Sequence, residues 1–266
     1  MKLNSSIIQP MTVVSQLEIC HVIPSINEHT GGTAVSVSTL AEVLSDQGIS
    51  SHLCTLNYQE LGKQHTTVGV KLHSYTTSLL TRYMRGFHPK LSSALWHLAS
   101  TELHLIHNHG LWMFPNLYAR QAALGNHLPL VISPHGMLEP WSLKYSRTKK
   151  LVAWFLYEHR NLNSATVFHA TSVEEANSIR RLGFQQPIAL ISNGIHIPDS
   201  SKQISRKLLT QLFPEVANKK WLLFLSRIHP KTGLDNLLLV WKQITNQFPD
   251  WHLIIAGPDL IGYQAK

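Results

Sequence analysis

Nine short apolar runs, set apart by stretches of a different period, constrain this chain more than any other feature. Seven lie in the first two thirds: "QLEICHVI" (16–23), "SHLCTL" (51–56), "VGVKLHSY" (68–75), "LHLIHN" (103–108), "LPLVIS" (128–133), "ATVFHA" (165–170) and "PIALIS" (187–192). Most of the gaps between them carry helical periodicity. Val37, Leu40, Ala41 and Leu44 fall at i, i+3, i+4 and i+7, with Gly48 as the stop. Ser172 with Glu175 reads as a capping box, and Gly183 closes the helix it opens. Strands alternating with helices predict an α/β fold, a doubly wound parallel sheet covered on both faces.

That domain is expected to span residues 1–196. The polar stretch "IHIPDSSKQISRKLL" then reads as a connection, placing a linker at 197–219. From 220 to 266 a second domain begins with "WLLFLS" (221–226). A helix at 233–248 follows, with Leu234, Leu237, Leu238, Trp241 and Phe248 on one face, and then "WHLIIAG" (251–257). This is a single βαβ unit, too little to cover a parallel sheet, so the second domain is expected to be incomplete.

Charge narrows the partners. The chain carries 23 Lys and Arg against 15 Asp and Glu, a net +8, with 17 His besides. A basic, His-rich chain favours anionic partners such as nucleotides or an acidic membrane face. Cys20 and Cys54 lie in or beside apolar runs and read as small core residues. No four residues carry a usual zinc spacing. The start, "MKLNSSIIQPMTVV", is a poor signal peptide, and no apolar run nears the ~18 residues of a membrane span. The expectation is a cytoplasmic protein that could touch the inner face of a membrane without crossing it.

In an open α/β sheet, ligands bind beyond the carboxyl ends of the strands, and the unusual residues gather there. Gly31 and Gly32 open a helix beyond the first strand. His109-Gly110, His135-Gly136, Asn193-Gly194 and Arg227 each follow a strand. Drawn from both sheets, they predict a cleft between two carboxyl edges. Gly31-Gly32 could cradle an anion on free N–H groups. Arg227 and Lys231 at a helix entry suit a diphosphate. His135 can exchange hydrogen bonds with a sugar hydroxyl. His107 and His109 stand two apart, a spacing compatible with a metal pair, but with no third ligand evident; Trp112 and Phe114 beyond them read as a wall for a sugar ring or lipid. Residues 138–160 mix Lys144, Arg147, Lys149, Lys150 and Arg160 with aromatic residues. A basic amphipathic helix could lie on an anionic membrane. Val152, Phe155 and Leu156 form one stripe and Lys150, Trp154 and Tyr157 another on the opposite side, and a helix packed on its own sheet with a solvated basic face is the plainer reading. No nucleic-acid-binding motif is present, so nucleic acid is not an expected partner.

Taken together, "GGTAVSVSTLAEVLSDQG", "HNHGLW", "SPHGMLEPWSLKYSRTKK", "HATSVEEANSIRRLG", "ISNGI" and "LSRIHPKTGLDNLL" resemble retaining glycosyltransferases of the GT-B fold, in family four. The resemblance covers nearly the whole chain. It implies two Rossmann-like domains, a nucleotide-diphosphate sugar as co-substrate, no other cofactor and no metal; no two Asp residues stand two apart. It implies that a hexose passes, with retention, to a glycan or lipid-linked acceptor in cell-surface polysaccharide biosynthesis. Carried over by position, His135 and Arg227 are the catalytic pair. Gly31, Gly32, Asn193, Gly194, Arg227 and Lys231 are donor-side, and His109, Trp112 and Glu139 acceptor-side. Two departures stand out. The family's second cation would fall at Thr232, where Thr reads instead as a helix cap with Asp235. The family's acidic motif would lie beyond Lys266. An inactive remnant that binds or scaffolds a partner is therefore the alternative to a transferase, and a basic membrane- or nucleic-acid-binding module the third class.

Overall fold

A computed structural model describes residues 17–195, 197, 206–259, 262 and 263, with backbone alone at 206–208. The reading of the first sixteen residues, and most of the polar connection, lies outside the described residues. The chain divides into two compact units, Met1–Ile195 and His196–Lys266.

In the first unit the strands are β1 (Glu18–Ser25), β2 (Ser50–Asn57), β3 (Lys71–Thr76), β4 (Leu105–His109), β5 (Leu130–Ser133), β6 (Val167–Ala170) and β7 (Ile188–Leu190). The helices are α1 (Gly32–Asp46), α2 (Leu79–Tyr83), α3 (Pro89–Thr101), α4 (Phe114–Gly125), α5 (Pro140–Lys144), α6 (Arg147–Ala153), α7 (His159–Asn163) and α8 (Val173–Arg181). The sheet runs β3-β2-β1-β4-β5-β6-β7, with every pair parallel. This is the Rossmann-like order. It reverses direction between β1 and β4, where such sheets open a crevice. Each predicted strand is present, its ends moved by a few residues.

Period-two alternation divides β1 between two layers. Cys20 and Val22 join the larger core with Leu91, Leu95, Ile106, Leu130 and Phe168, while Ile23 packs with Ala34, Val37 and Leu53 beneath α1. Cys20 and Cys54 are buried free thiols, their sulfurs 3.5 Å apart.

The basic segment packs against the larger core through one of its two stripes. Between α6 and α7 the chain makes a π-helical turn, Trp154–Glu158, which rotates the side chains that follow. Trp154 and Tyr157 pack against the larger core, and Glu158 is fully buried. Val152, Phe155 and Leu156 instead face solvent, at 59%, 75% and 68% exposure. Glu158 explains the choice of face. One carboxylate oxygen accepts from the Trp112 backbone N–H at 2.8 Å, the other from the Asn161 amide at 2.8 Å. The polar group that must be satisfied inside selects which stripe goes in.

The second unit contains α9 (Arg206–Leu212), β8 (Lys220–Leu225), α10 (Leu234–Ile244) and β9 (Trp251–Ala256), the two strands parallel. Leu234 is buried and Leu237 and Trp241 partly so, but Leu238 and Phe248 of the expected face are exposed.

Truncations on the two stripes should differ. Trp154→Ala or Leu162→Ala is expected to lower unfolding free energy by about 2–5 kcal/mol in urea titrations, whereas Phe155→Ser and Leu156→Ser should change it by less than about 0.5 kcal/mol. Equal losses on both stripes would contradict the packing described.

Candidate functional site

The carboxyl edge of the larger sheet is built from histidines. β1 contributes His21, β4 His107 and His109, the turn after β5 His135, and β6 His169. Alternation along β4 puts His107 and His109 on one face, ring centroids 4.0 Å apart.

They form two hydrogen-bonded lines. In the first, His21 Nδ1 lies 3.0 Å from His109 Nε2, and His109 Nδ1 lies 3.1 Å from His135 Nε2. In the second, His107 Nε2 is 2.7 Å from Ser133 Oγ, which is 2.8 Å from His169 Nδ1; His169 Nε2 is 2.9 Å from the Ile191 carbonyl. A carbonyl only accepts, so His169 carries a proton on Nε2, and with a single ring proton it accepts on Nδ1. Ser133 must then donate to His169 and accept from His107, which carries its proton on Nε2.

Burial removes charge from this edge. Desolvation pushes the His21 imidazole down to about 4, and His135 likewise to about 4. His107 and His109 are held well below the ordinary histidine range, first by desolvation and then by neighbouring imidazoles. The edge thus presents neutral hydrogen-bonding groups at neutral pH.

Backbone geometry presents His135 under strain. Pro134 ends β5, and His135 adopts φ 52°, followed by Gly136 at φ 71°. A non-glycine residue held left-handed costs of order 1–3 kcal/mol and persists where surroundings over-determine it. Glu175 does so here. Ser172 caps α8 as expected, accepting from the Glu175 N–H at 3.2 Å, but the Glu175 carboxylate does not return to complete the box. It reaches the Gly136 N–H at 2.8 Å and the Thr171 N–H and hydroxyl at 2.8 Å each. The sequence signal for a capping box concealed a residue that clamps the His135 turn.

The loop after β4 is fixed in the same way. Asn116 donates to the Asn108 side chain at 2.8 Å and to the His109 carbonyl at 3.0 Å. His109 then borders two hollows. One, of about 140 Å³, is lined by His109, His135, His169, Asn193, Gly194 and α1 residues including Ser36 and Leu40. The other, of about 310 Å³, lies at the β1–β4 reversal among Pro24, Ser25, Thr33, Gly110 and Met137.

Of the residues singled out from sequence, the smaller hollow gathers His109, His135, Asn193 and Gly194. Gly31 caps α1 at φ 101°, a conformation that requires glycine; Gly32 is exposed, with no atom near where a Cβ would stand. Trp112 lies elsewhere, in an apolar hollow with Leu143, Lys150 and Trp154, its N–H held by Glu158 and its carbonyl by Tyr157. Glu139 caps α5 and lines neither histidine hollow.

Arg227 and Lys231 belong to the second unit. Arg227 is exposed just beyond β8, in a loop laced to the end of β9 by Ser226 N–H to Ala256 O at 3.1 Å and Ile228 N–H to Pro258 O at 3.0 Å. A Cβ on Gly257 would fall 1.8 Å from the Ser226 carbonyl, so glycine is required there. Thr232 does not cap α10, contrary to expectation. Gly233 occupies the N-cap at φ 72°, Thr232 Oγ donates to the His229 carbonyl at 2.6 Å, and Asp235 accepts from Tyr263. The left-handed Gly233 intervenes between Thr232 and the helix and leaves the threonine in a separate short turn.

The third imidazole missing from the sequence reading is His21. Ligand atoms of His21, His107 and His109 lie within 4.8 Å of one another, three being the number of protein ligands that a catalytic zinc takes. A second group, Glu18, His52 and Glu102, already receives the Lys71 ammonium, 3.4 Å from Glu18 and 3.9 Å from Glu102.

The chain belongs to Glycosyltransferase Family 4, whose model matches residues 30–197, the stretch containing His109, His135, Asn193 and Gly194. Among solved structures, Anabaena HepE in complex with UDP and glucose matches with TM-score 0.64 and 19% identity, over 94% of this chain and 63% of that one. Sucrose-phosphate synthase from Thermosynechococcus elongatus matches with TM-score 0.64 and 15% identity, over 91% of this chain and 62% of that one. UDP-GlcNAc 2-epimerase from Neisseria meningitidis, bound to UDP-GlcNAc, matches with TM-score 0.51 and 13% identity, over 93% of this chain and 67% of that one. These likenesses establish a Rossmann-like fold of the GT-B type, which transferases share with epimerases. The chain spans about 63% of the length of HepE. No curated protein matches it.

Neutral burial makes stability depend on pH. The folded pKa of His21 lies below its unfolded value of about 6.5, so the unfolded state binds more protons between pH 6.5 and 4. Stability present above pH 6.5 is therefore lost as pH falls through that window. At ~1.4 kcal/mol per pKa unit, His21 alone contributes on the order of 3 kcal/mol. Urea unfolding at pH 7.5 and pH 5 should show about 2 kcal/mol of this loss, because pH 5 still lies above the folded pKa, and His21→Asn should flatten the dependence; a flat wild-type profile would contradict burial of neutral imidazoles.

Proposed function

We propose that the protein transfers a hexose from a nucleotide-diphosphate sugar, with retention, to a glycan or lipid-linked acceptor in cell-surface polysaccharide biosynthesis. The observation that carries this reading is the joining of His109, His135, Asn193 and Gly194 around one hollow at the carboxyl edge, within the stretch matched by the family. The UDP and glucose bound by HepE and the UDP-GlcNAc bound by the epimerase support a nucleotide-sugar ligand.

The roles divide by chemistry. His135, neutral, hydrogen-bonds the sugar without competing for protons. Gly31 and Gly32 leave the N–H groups at the α1 terminus open to phosphate oxygens, with Asn193 and Gly194 bordering the donor. Arg227 and Lys231 offset charge on the departing diphosphate, the largest service a protein can give such a leaving group. Their cationic side chains supply this without a metal or other cofactor. His109 and Glu139 serve the acceptor side, and Trp112 shapes the acceptor loop from beneath. Residues 1–196 then form the acceptor-side domain and 220–266 belong to the donor-side domain, joined by 197–219.

Nucleotide release from a panel of UDP- and GDP-sugars tests this. Arg227→Ala should lower turnover about 100- to 1,000-fold, on the scale of one lost oxyanion donor; Thr232→Lys should raise it. Binding of no nucleotide sugar by the chain, with or without Thr232→Lys, would favour the scaffolding alternative.

A second reading concerns location. The exposed Val152, Phe155 and Leu156 stand beside exposed Lys144, Arg147 and Lys149, a pattern suited to peripheral contact with an anionic membrane from the cytoplasmic side. Among the described residues no helix is long and apolar enough to cross a membrane. Co-sedimentation should be stronger with phosphatidylserine vesicles than with phosphatidylcholine vesicles, fall with salt, and weaken in a Phe155→Ser, Leu156→Ser double variant. Equal sedimentation with both vesicle types would contradict it.

A further inference from the structure

His21 has no part in the roles assigned above, yet it is fully buried at the sheet's reversal point and bonded into the site. The first histidine line has a property that follows from counting protons. A neutral imidazole carries one N–H and one lone pair, and each contact needs one donor and one acceptor. His21 and His109 meet through Nδ1 and Nε2, as do His109 and His135. Only two fully bonded arrangements exist. Either all three rings carry the proton on Nδ1, or all three carry it on Nε2. Flipping one ring forces the other two.

The far end of the line decides between them. Among the described residues, His21 Nε2 is buried and has no hydrogen-bond partner. In the Nε2–H arrangement a buried donor is left without an acceptor; in the Nδ1–H arrangement only a lone pair is left over. Orphaned buried N–H groups are the rarer of the two. The unpartnered Nε2 of His21 therefore biases the proton to Nδ1 along the whole line.

We infer that His21 is a positioning residue which, through His109, locks His135 in the Nδ1–H form, so that His135 offers its substrate a hydrogen-bond donor. The ring planes agree with a rigid line: His21 and His109 are inclined by 26°, His109 and His135 by 19°. The ligand atom served is an acceptor, a hydroxyl, ring or phosphate oxygen of the donor sugar. This rests on the proposed binding of a nucleotide sugar. The line itself does not. A divalent ion held by His21, His107 and His109 would need lone pairs where these contacts place hydrogen bonds, since both nitrogens of His109 face other imidazoles.

Nitrogen-15 NMR of the ring nitrogens in the full chain at pH 7.5 reads the arrangement directly. The expected result is a pyrrole-type Nδ1 and a pyridine-type Nε2 at His21, His109 and His135 alike. His21→Phe should give His135 a mixture of tautomers and weaken UDP-sugar binding roughly tenfold, as for one neutral hydrogen bond. His21→Asn, which restores a donor near the Nδ1 position, should recover most of both. Should His21→Phe not fold, the wild-type spectrum still decides. An Nε2–H signature at His135, an unchanged His135 signature in folded His21→Phe, or stoichiometric zinc removed by His21→Phe would overturn the inference. If the tautomers are as stated but His135→Ala leaves UDP-sugar binding intact, the line stands and the donor role of His135 falls.

Discussion

Keeping His21 and His109 inside the protein without charge is the constraint on which the rest of the carboxyl edge depends. Each ring gives up water where another imidazole, a serine hydroxyl or a carbonyl takes at least one of its vacated contacts, while His21 Nε2 has no partner among the described residues. The histidines therefore come as a set. β1 and β4 must pair in register to bring His21 to His109, and β5 must stop at Ser133 so that His135 can turn back toward it. Glu175 fixes that turn from α8, and Asn116 fixes the loop before it from α4. The site is thus assembled from four strands and two helices, none of which holds it alone.

Neutrality also suits the chemistry proposed. A neutral imidazole offers a sugar hydroxyl a hydrogen bond without adding charge to the edge.

Much of the fold was legible because parallel strands buried on both faces read as continuous apolar runs. The strand ends carried His109, His135 and Asn193 to one edge, which the order of elements alone implied. What escaped depended on contacts distant in sequence or on local backbone geometry that periodicity does not encode. His21 reads as one polar residue in the apolar run "EICHVI", and only pairing with β4 reveals its partner. Glu175 matched a local capping pattern, but a stronger claim from the Gly136 N–H, thirty-nine residues away, redirected it. Residues 150–157 carried two stripes of helical period, and periodicity alone did not say that Trp154 and Tyr157 would pack inward while Val152, Phe155 and Leu156 faced out. Thr232 and Asp235 had the spacing of a cap, but the left-handed Gly233 took that position.

The central claim is that a nucleotide sugar engages the histidine edge of the larger sheet. Hydrogen–deuterium exchange of the full chain, with and without saturating UDP-sugar or GDP-sugar, tests it most directly. The account predicts added protection at 133–137 and 191–194 in the same experiment. Protection confined to one of these regions, or to neither, would contradict it.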